Sequence, residues 1–422
     1  MAVWGCRLGS DRRVVLSGIG VLSSIGIGRE RYWEALCRGE TGFHKITLFD
    51  TAPFRVHRAG EITDFDPVSF LGKKGLRDID RSTRLICSAA KLALDDARLS
   101  ITEDNTGSIG VSIGTTFGSL HSISQFDLSG LIEGPRFVNP SHFPNTVINS
   151  PASQVSIRFK IKGFNTTIST GFCASLDAVS YASDFIKLNR ADVVLAGGVE
   201  ELCEETFLGF HTLGWLSGLE GSEPVSCPFD ARRNGIILSE GAAVLVLEDK
   251  DHAVNRSATI LAEVVGYGNS FDPSADSSFE RAGQGLKNSI TLALQDASLQ
   301  PEDIDYICAC SNSTRGLDRM ETRVIKEVFG KNASAIPVSS IKSMAGESFS
   351  ASGALSLAAA AGAIQNGLIP PTVNYKEKDP ECDLDYVPNT ARQKQIKTVL
   401  VTAADPYGQN AAVILGRYGQ DT

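Results

Sequence analysis

The second half of this chain has no histidine. All six histidines lie at or before His252, so any chemistry that needs an imidazole further along has none to draw on. Long apolar runs are also missing. None approaches the roughly 18 residues that a membrane-crossing helix needs, and the opening MAVWGCRLGSDRR lacks the apolar core of a secretory signal. The nine cysteines are scattered and odd in number, with no CxxC pair. They read as reduced thiols in a cytoplasm, not as a disulfide framework. Cys308-x-Cys310 has the wrong spacing for zinc and no histidine beside it. A basic excess is absent: the net charge is -9, which argues against nucleic-acid or anionic-membrane partners. There is no P-loop and no G-x-S-x-G elbow, and Gly18-x-Gly20 lacks the third glycine of a dinucleotide fingerprint. No metal and no cofactor is expected.

What remains is an ordinary soluble composition, 42% apolar and 21% charged, in 422 residues that can bury a large core. Short β-branched runs (14–16, 108–113, 193–196, 242–247, 304–309 and 398–402) read as buried strands. Helical patterns at 81–97, 175–188 and 285–297 lie between them, which predicts a layered α/β architecture. The chain also repeats itself. KLALDDARL at 91–99 matches TLALQDASL at 291–299 at six positions, and each copy ends a helix that feeds a strand. This is the mark of duplication. Two related α/β halves are expected, 13–255 and 256–418, packed as one body.

Several stretches together resemble the β-ketoacyl synthase family: RVVLSGIGVL at 13–22, STGFCASLDAVSYA at 169–182, ADVVLAGGVE at 191–200, PFDARRNGIILSEGAAVLVL at 228–247, SSIKSMAG at 339–346 and KDPECDLDYVP at 378–388. The resemblance runs from about 13 to 416 without large gaps. It implies a thiolase-like fold, with duplicated halves layered α-β-α-β-α. It also implies a chemistry with three groups. A cysteine at a helix N-terminus takes the acyl chain as a thiolate, and two histidines assist decarboxylation of the extender and hold the enolate oxygen.

Position by position, those groups are gone. The nucleophile position in the family's STGC-type run is Phe172, and a phenyl ring cannot be acylated. Cys173 stands next to it, but one residue on a helix is about 100° of rotation, so it is expected to be a small buried residue pointing elsewhere. A local shift that makes Cys173 a working nucleophile is the alternative. The first histidine position is Cys310, in YICACSNST, and the second is Glu347, in KSMAGE. A carboxylate has the wrong sign to hold an oxyanion. Lys342 fits the family's lysine and reads as an ion-pair or hydrogen-bond partner. The glycine-rich gating turn is DPYGQN at 405–410, with Pro406 where the family has its gating phenylalanine and Tyr407 after it; proline removes a donor and stiffens the turn.

This pattern is similar to the chain-length factor, the silent subunit of type II polyketide synthases. In that group the nucleophile position is often glutamine, and here it is phenylalanine. The resemblance implies an active ketosynthase as partner in a heterodimer, and an acyl carrier protein reached through that complex. It also implies an acyl tunnel closed by side chains of the silent subunit. The matching segment is FGSLHSISQF, where Leu120, Ile123 and Phe126 recur on one helical face. His142 and Phe143 fall near the family's acyl-pocket wall, where a lone histidine reads as a hydrogen-bonded core residue. Lys73, Lys74, Arg77 and Arg81 resemble the region that meets acidic carrier proteins, although a solvated helix face has the same composition. Arg232 and Arg233 form a weaker candidate. Two other readings stay open: an active synthase or acyltransferase using Cys173, and a homodimeric scaffold.

Overall fold

The structure is a computed structural model that describes residues 12–276, 279 and 283–419. The β-branched runs become strands because their side chains are buried on both faces. In the first half these are β1 (Val14–Ser23), β2 (Ile109–Gly114), β3 (Asn165–Ile168), β4 (Val193–Glu200) and β5 (Gly241–Asp249). In the second they are β6 (Ala262–Phe271), β7 (Tyr306–Cys308), β8 (Val338–Ser339), β9 (Thr398–Ala404) and β10 (Gln409–Gly416). With a short strand at Gly26–Ile27 beside β1, they form one eleven-stranded sheet in the order β8-β7-β9-β10-β6-β1-β5-β4-β2-β3.

That order reads the same from either end once each strand is exchanged for its counterpart in the other half. The senses match as well: the outer pairs are parallel and the inner pairs antiparallel on both sides. The sheet regions of the two halves are joined where Val14–Leu16 pairs with Ala262–Val264.

Eight helices position the rest: α1 (Arg81–Asp96), α2 (Leu120–Glu133), α3 (Ser150–Phe159), α4 (Ala174–Lys187), α5 (Glu204–Thr212), α6 (Gln284–Asp296), α7 (Arg315–Phe329) and α8 (Ser350–Asn366). Helices α1 and α3 cover the outside of the first half, and α6 and α7 the outside of the second. Helices α4 and α8 pack on each other in the middle, each touching strands of both halves. This is the layering expected. Helix α8 is buried along nearly its whole length and all round, as its alanine-rich sequence dictates.

The repeated nonapeptide has a structural reason. Gly18 lies so close to α1 that a Cβ would fall 2.6 Å from the Ala97 Cβ, and a Cβ on Gly266 would fall 2.7 Å from that of Ala297. Asp96 then accepts a hydrogen bond from the Ile19 N–H at 2.9 Å, and Asp296 from the Tyr267 N–H at 3.2 Å. Helix and strand are locked together by the same small-residue contact and the same carboxylate in each half.

Element ends differ from the sequence reading by a residue or two, and β7 is shorter than the run at 304–309 suggests. The basic cluster needs correction. Lys73, Lys74 and Arg77 are exposed, but they lie in the loop between a short helix, Pro67–Leu71, and α1, not on a helix face. Arg81 does not belong with them. Its Nε donates to Glu240 Oε2 at 2.6 Å, and that carboxylate is fully buried. Arg232 and Arg233 are committed inward too, Arg232 to Asp230 and Arg233 to Asp318 and Asp379.

Candidate functional site

Strand β3 leaves the sheet at Ile168, and a 3-10 turn at Gly171–Cys173 leads into α4. Gly171 has φ +60°, a left-handed conformation that favours glycine. Phe172 follows at the approach to the helix N-terminus, buried. Its ring lies 4.9 Å from that of Phe349, which stacks on Phe210 at 4.9 Å and meets Phe117 edge-on at 5.5 Å. Trp215 continues the cluster against Phe210. Phe349 itself is held at φ +48°, uncommon for a bulky residue, at the start of α8. Buried Glu200 fixes Phe117 by accepting its N–H at 3.0 Å and that of Thr116 at 2.8 Å.

Cys173 is wholly buried, and its Sγ donates to the Gln409 carbonyl at 3.3 Å, away from the aromatic cluster. Burial pushes its thiol well above the ordinary value, and the carboxylates of Asp177 and Asp405 push it further. A thiol in that state is a poor nucleophile.

The two former histidine positions have become a buried polar strut. Lys342 Nζ donates to Glu347 Oε2 at 2.8 Å and to the Cys310 carbonyl at 2.9 Å. Asn312 donates to the same Glu347 oxygen at 2.8 Å, and the Phe349 N–H and Ser352 hydroxyl donate to the other. Burial opposes the charge on Lys342, but Glu347 more than offsets it, and the ammonium is held above its ordinary value. Cys310 donates its thiol to Glu321 at 3.4 Å, and burial raises it well above the usual range, with Glu321 adding to the effect. An acid held by a lysine and a thiol held by a carboxylate supply no proton donor to an oxyanion.

The gating turn brings a residue that the sequence reading passed over. Asp405 is 7% exposed. Its Oδ2 accepts the Phe172 N–H at 3.1 Å, and its Oδ1 accepts the Tyr407 N–H at 2.8 Å. Burial pushes this carboxyl up, and the two N–H donors partly restrain it. Pro406 and Tyr407 sit in the turn itself, Tyr407 exposed. Phe349, Asn312 and the Phe117–Phe210–Trp215 group were likewise missed. They are read only once strands far apart in the chain are brought together.

A cavity of about 640 Å³ opens over this region, lined among others by Phe117, Leu120, Phe172, Phe210, Pro406 and Tyr407. Leu120, Ile123 and Phe126 do share α2, all half-buried, but of these only Leu120 reaches the cavity. His142 and Phe143 stand in a 3-10 turn, Pro140–Thr146, and both are exposed. His142 is therefore not a core residue; Phe143 rests its ring 6.0 Å from Phe126. The reason is that the 3-10 turn leans on α2 and α3 from outside instead of entering the sheet layers.

Among the described residues the eight cysteines are free thiols, and no group of three or more His, Cys, Asp or Glu side chains is placed to hold a metal ion. No helix among them is long and apolar enough to cross a membrane.

Comparison with known proteins agrees with this layout over nearly the full length. Residues 11–253 match the profile of the beta-ketoacyl synthase N-terminal domain, and residues 261–376 that of its C-terminal domain. A 3-oxoacyl-[acyl-carrier-protein] synthase 2 from Coxiella burnetii is 36% identical, over 96% of this chain and 99% of that protein. The solved ishigamide ketosynthase/chain length factor superposes with a TM-score of 0.89 at 36% identity, covering 97% of this chain and 100% of that one. A type II PKS acyl-carrier protein in complex with its ketosynthase bound to the hexaketide (AntDE:AntF) gives a TM-score of 0.88 at 30% identity, covering 97% and 100%. Two mirrored α/β halves, a helix N-terminus at their junction and this kinship along the whole length place the chain in the beta-ketoacyl synthase family, with its thiolase-like fold.

Proposed function

We propose that this chain is the non-catalytic subunit of a ketosynthase pair, a chain-length factor that completes and bounds the acyl tunnel of an active ketosynthase. One observation carries the reading. The helix N-terminus where the family needs a thiolate presents Phe172, packed into an aromatic cluster, while the neighbouring Cys173 faces the Gln409 carbonyl with its thiol kept protonated by burial. The strut of Lys342 and Glu347 removes the partner groups as well.

The surface supports a partner. Strand β3 ends the sheet, and the helices and turn beside it expose Leu131 at 83%, Ile132 at 74%, Phe137 at 73% and Ile157 at 67%. Apolar side chains this bare in one region mark an interaction surface, and the occupant proposed is the active ketosynthase. Two relatives by structure are described as a ketosynthase/chain length factor and as a ketosynthase with its acyl-carrier protein. Helix α2, with Leu120, Ile123 and Phe126, would face the shared tunnel, and Phe143 would be covered with it. The exposed Lys73, Lys74 and Arg77 are a docking patch for an acidic carrier protein, approached through the complex.

The test is reconstitution. The chain alone, given acyl- and malonyl-carrier proteins, should yield no condensation product and no acylated protein by mass spectrometry. Co-expressed with a type II ketosynthase it should elute as a heterodimer and support product formation. Acylation of Cys173 with turnover by the chain alone would overturn the reading in favour of an active enzyme, and a stable homodimer that ignores the ketosynthase would overturn it in favour of a scaffold.

A further inference from the structure

We infer that Asp405 is a second silencing residue, independent of Phe172: its carboxylate occupies the one backbone donor that acyl transfer at position 172 would need. The inference rests on reading Phe172 as the nucleophile position.

The geometry is specific. When a thiolate attacks a thioester, the new S–C bond forms as an electron pair moves onto the carbonyl oxygen. Collapse then breaks the old C–S bond, and the carrier thiolate leaves. The oxygen's transient charge is stabilised by N–H donors already aimed at it. At the start of α4 the donor at hand is the Phe172 N–H, and it is spent on Asp405 Oδ2 at 3.1 Å. The adjoining turn cannot supply another at its second residue, because Pro406 has no N–H. The carboxylate is admitted by Gly171, where a Cβ would stand 2.0 Å from Asp405 Oδ2. Tyr407 N–H holds the second oxygen at 2.8 Å, so the carboxylate is fixed from both sides and shielded from water.

The consequence is electrostatic. A helix N-terminus normally lowers the pKa of a cysteine placed on it. Here an internal carboxylate already satisfies that end of α4, and a negative sulfur at 172 would meet negative charge where screening is weak. The groups facing the position are Asp405 in the turn, Asp177 on α4 and the Lys342–Glu347 pair, with the thiols of Cys173 and Cys310 nearby. Asp405 is the member of that set bonded to residue 172 itself. Restoring a cysteine alone therefore does not restore a reactive thiol.

The experiment compares Phe172→Cys with Phe172→Cys/Asp405→Asn in the full-length chain, using iodoacetamide. The thiolate displaces iodide, forming S–C as C–I breaks, and each cysteine peptide is followed by mass spectrometry from neutral to alkaline pH. At neutral pH the double variant should be alkylated at position 172 about tenfold faster, with its midpoint lower by about one pH unit. Identical profiles would overturn the inference. A second measurement needs no new cysteine: amide hydrogen exchange in the peptide carrying Phe172 should quicken at least about tenfold in Asp405→Ala and stay slow in Asp405→Asn, which keeps an acceptor. Unchanged exchange in Asp405→Ala would equally overturn it. Neither readout involves a partner, so failure here leaves the pairing untouched, and failure to pair leaves the effect of Asp405 standing.

Discussion

The two edges of the sheet are built from matching strands and finished in opposite ways. Strand β8, at one end, is fully buried. Its Val338 N–H donates outward to the Asp385 carbonyl at 2.8 Å, and just beyond it the Ser340 N–H donates to the Thr372 hydroxyl at 3.1 Å, so segment 372–388 closes that side. Strand β3, at the other end, exposes Asn165 and only half-buries the next three residues. No strand pairs with its outer side among the described residues. An open edge is a liability unless something covers it. The same duplicated scaffold has thus spent one end on its own stability and kept the other for assembly.

That contrast can be broken most forcefully on the closed half. Glu347→Ala leaves the ammonium of Lys342 buried without its carboxylate, and losses of about 3–5 kcal/mol follow when one member of a buried pair is removed. Urea unfolding should show it, and a loss below about 1 kcal/mol would mean that the strut adds little. Next in size is Glu248 on β5, whose counterpart strand β10 is apolar at the matching end. Burial opposes the charge on Glu248, but hydrogen bonds from Arg256, His252 and Ser17 outweigh it and hold the carboxyl down at about 2 instead of 4.5. A depressed carboxyl contributes stability above its unfolded pKa and loses it as pH falls through the folded one. Wild type should therefore exceed Glu248→Gln by about 3 kcal/mol at neutral pH, with the difference shrinking below about 4.5 and vanishing near 2.

On the open side the readout changes from stability to association. Leu131→Asp with Ile132→Asp should leave the melting temperature of the isolated chain nearly unchanged, because both side chains already face water. The pair with the ketosynthase should weaken by about 2 kcal/mol or more, seen as dissociation on sizing columns. A drop in melting temperature with intact pairing would reverse the comparison. The smallest effect is in the product: Ile123→Ala or Phe126→Ala in the reconstituted pair should move the distribution towards longer chains, and an unchanged distribution would remove them from the gate.

How much of this was legible beforehand follows a physical line. The duplication could be seen in KLALDDARL and TLALQDASL because those residues do the same local work twice, packing a helix on a glycine and capping a strand amide with Asp96 or Asp296. Phe172, Cys310 and Glu347 were readable because they interrupt motifs. Asp405 was not: it acts through an amide 233 positions away. Arg81 was misassigned for the same reason, since its charge is answered by Glu240 from 159 positions away. Phe349 gave no local sign of its left-handed backbone, which a glycine in the same place would have announced. The covering of β8 and the bareness of β3 depend on how segment 372–388 travels, and no short window of sequence encodes that route.

Helix α8 settles how divisible the molecule is. A helix with no side left for water cannot be the outer surface of anything, and α8 meets strands of both halves. A chain cut near residue 255 should therefore give two fragments that aggregate when made apart and become soluble only when they fold around each other. The ancestral gene duplication has become, in material terms, a single indivisible object.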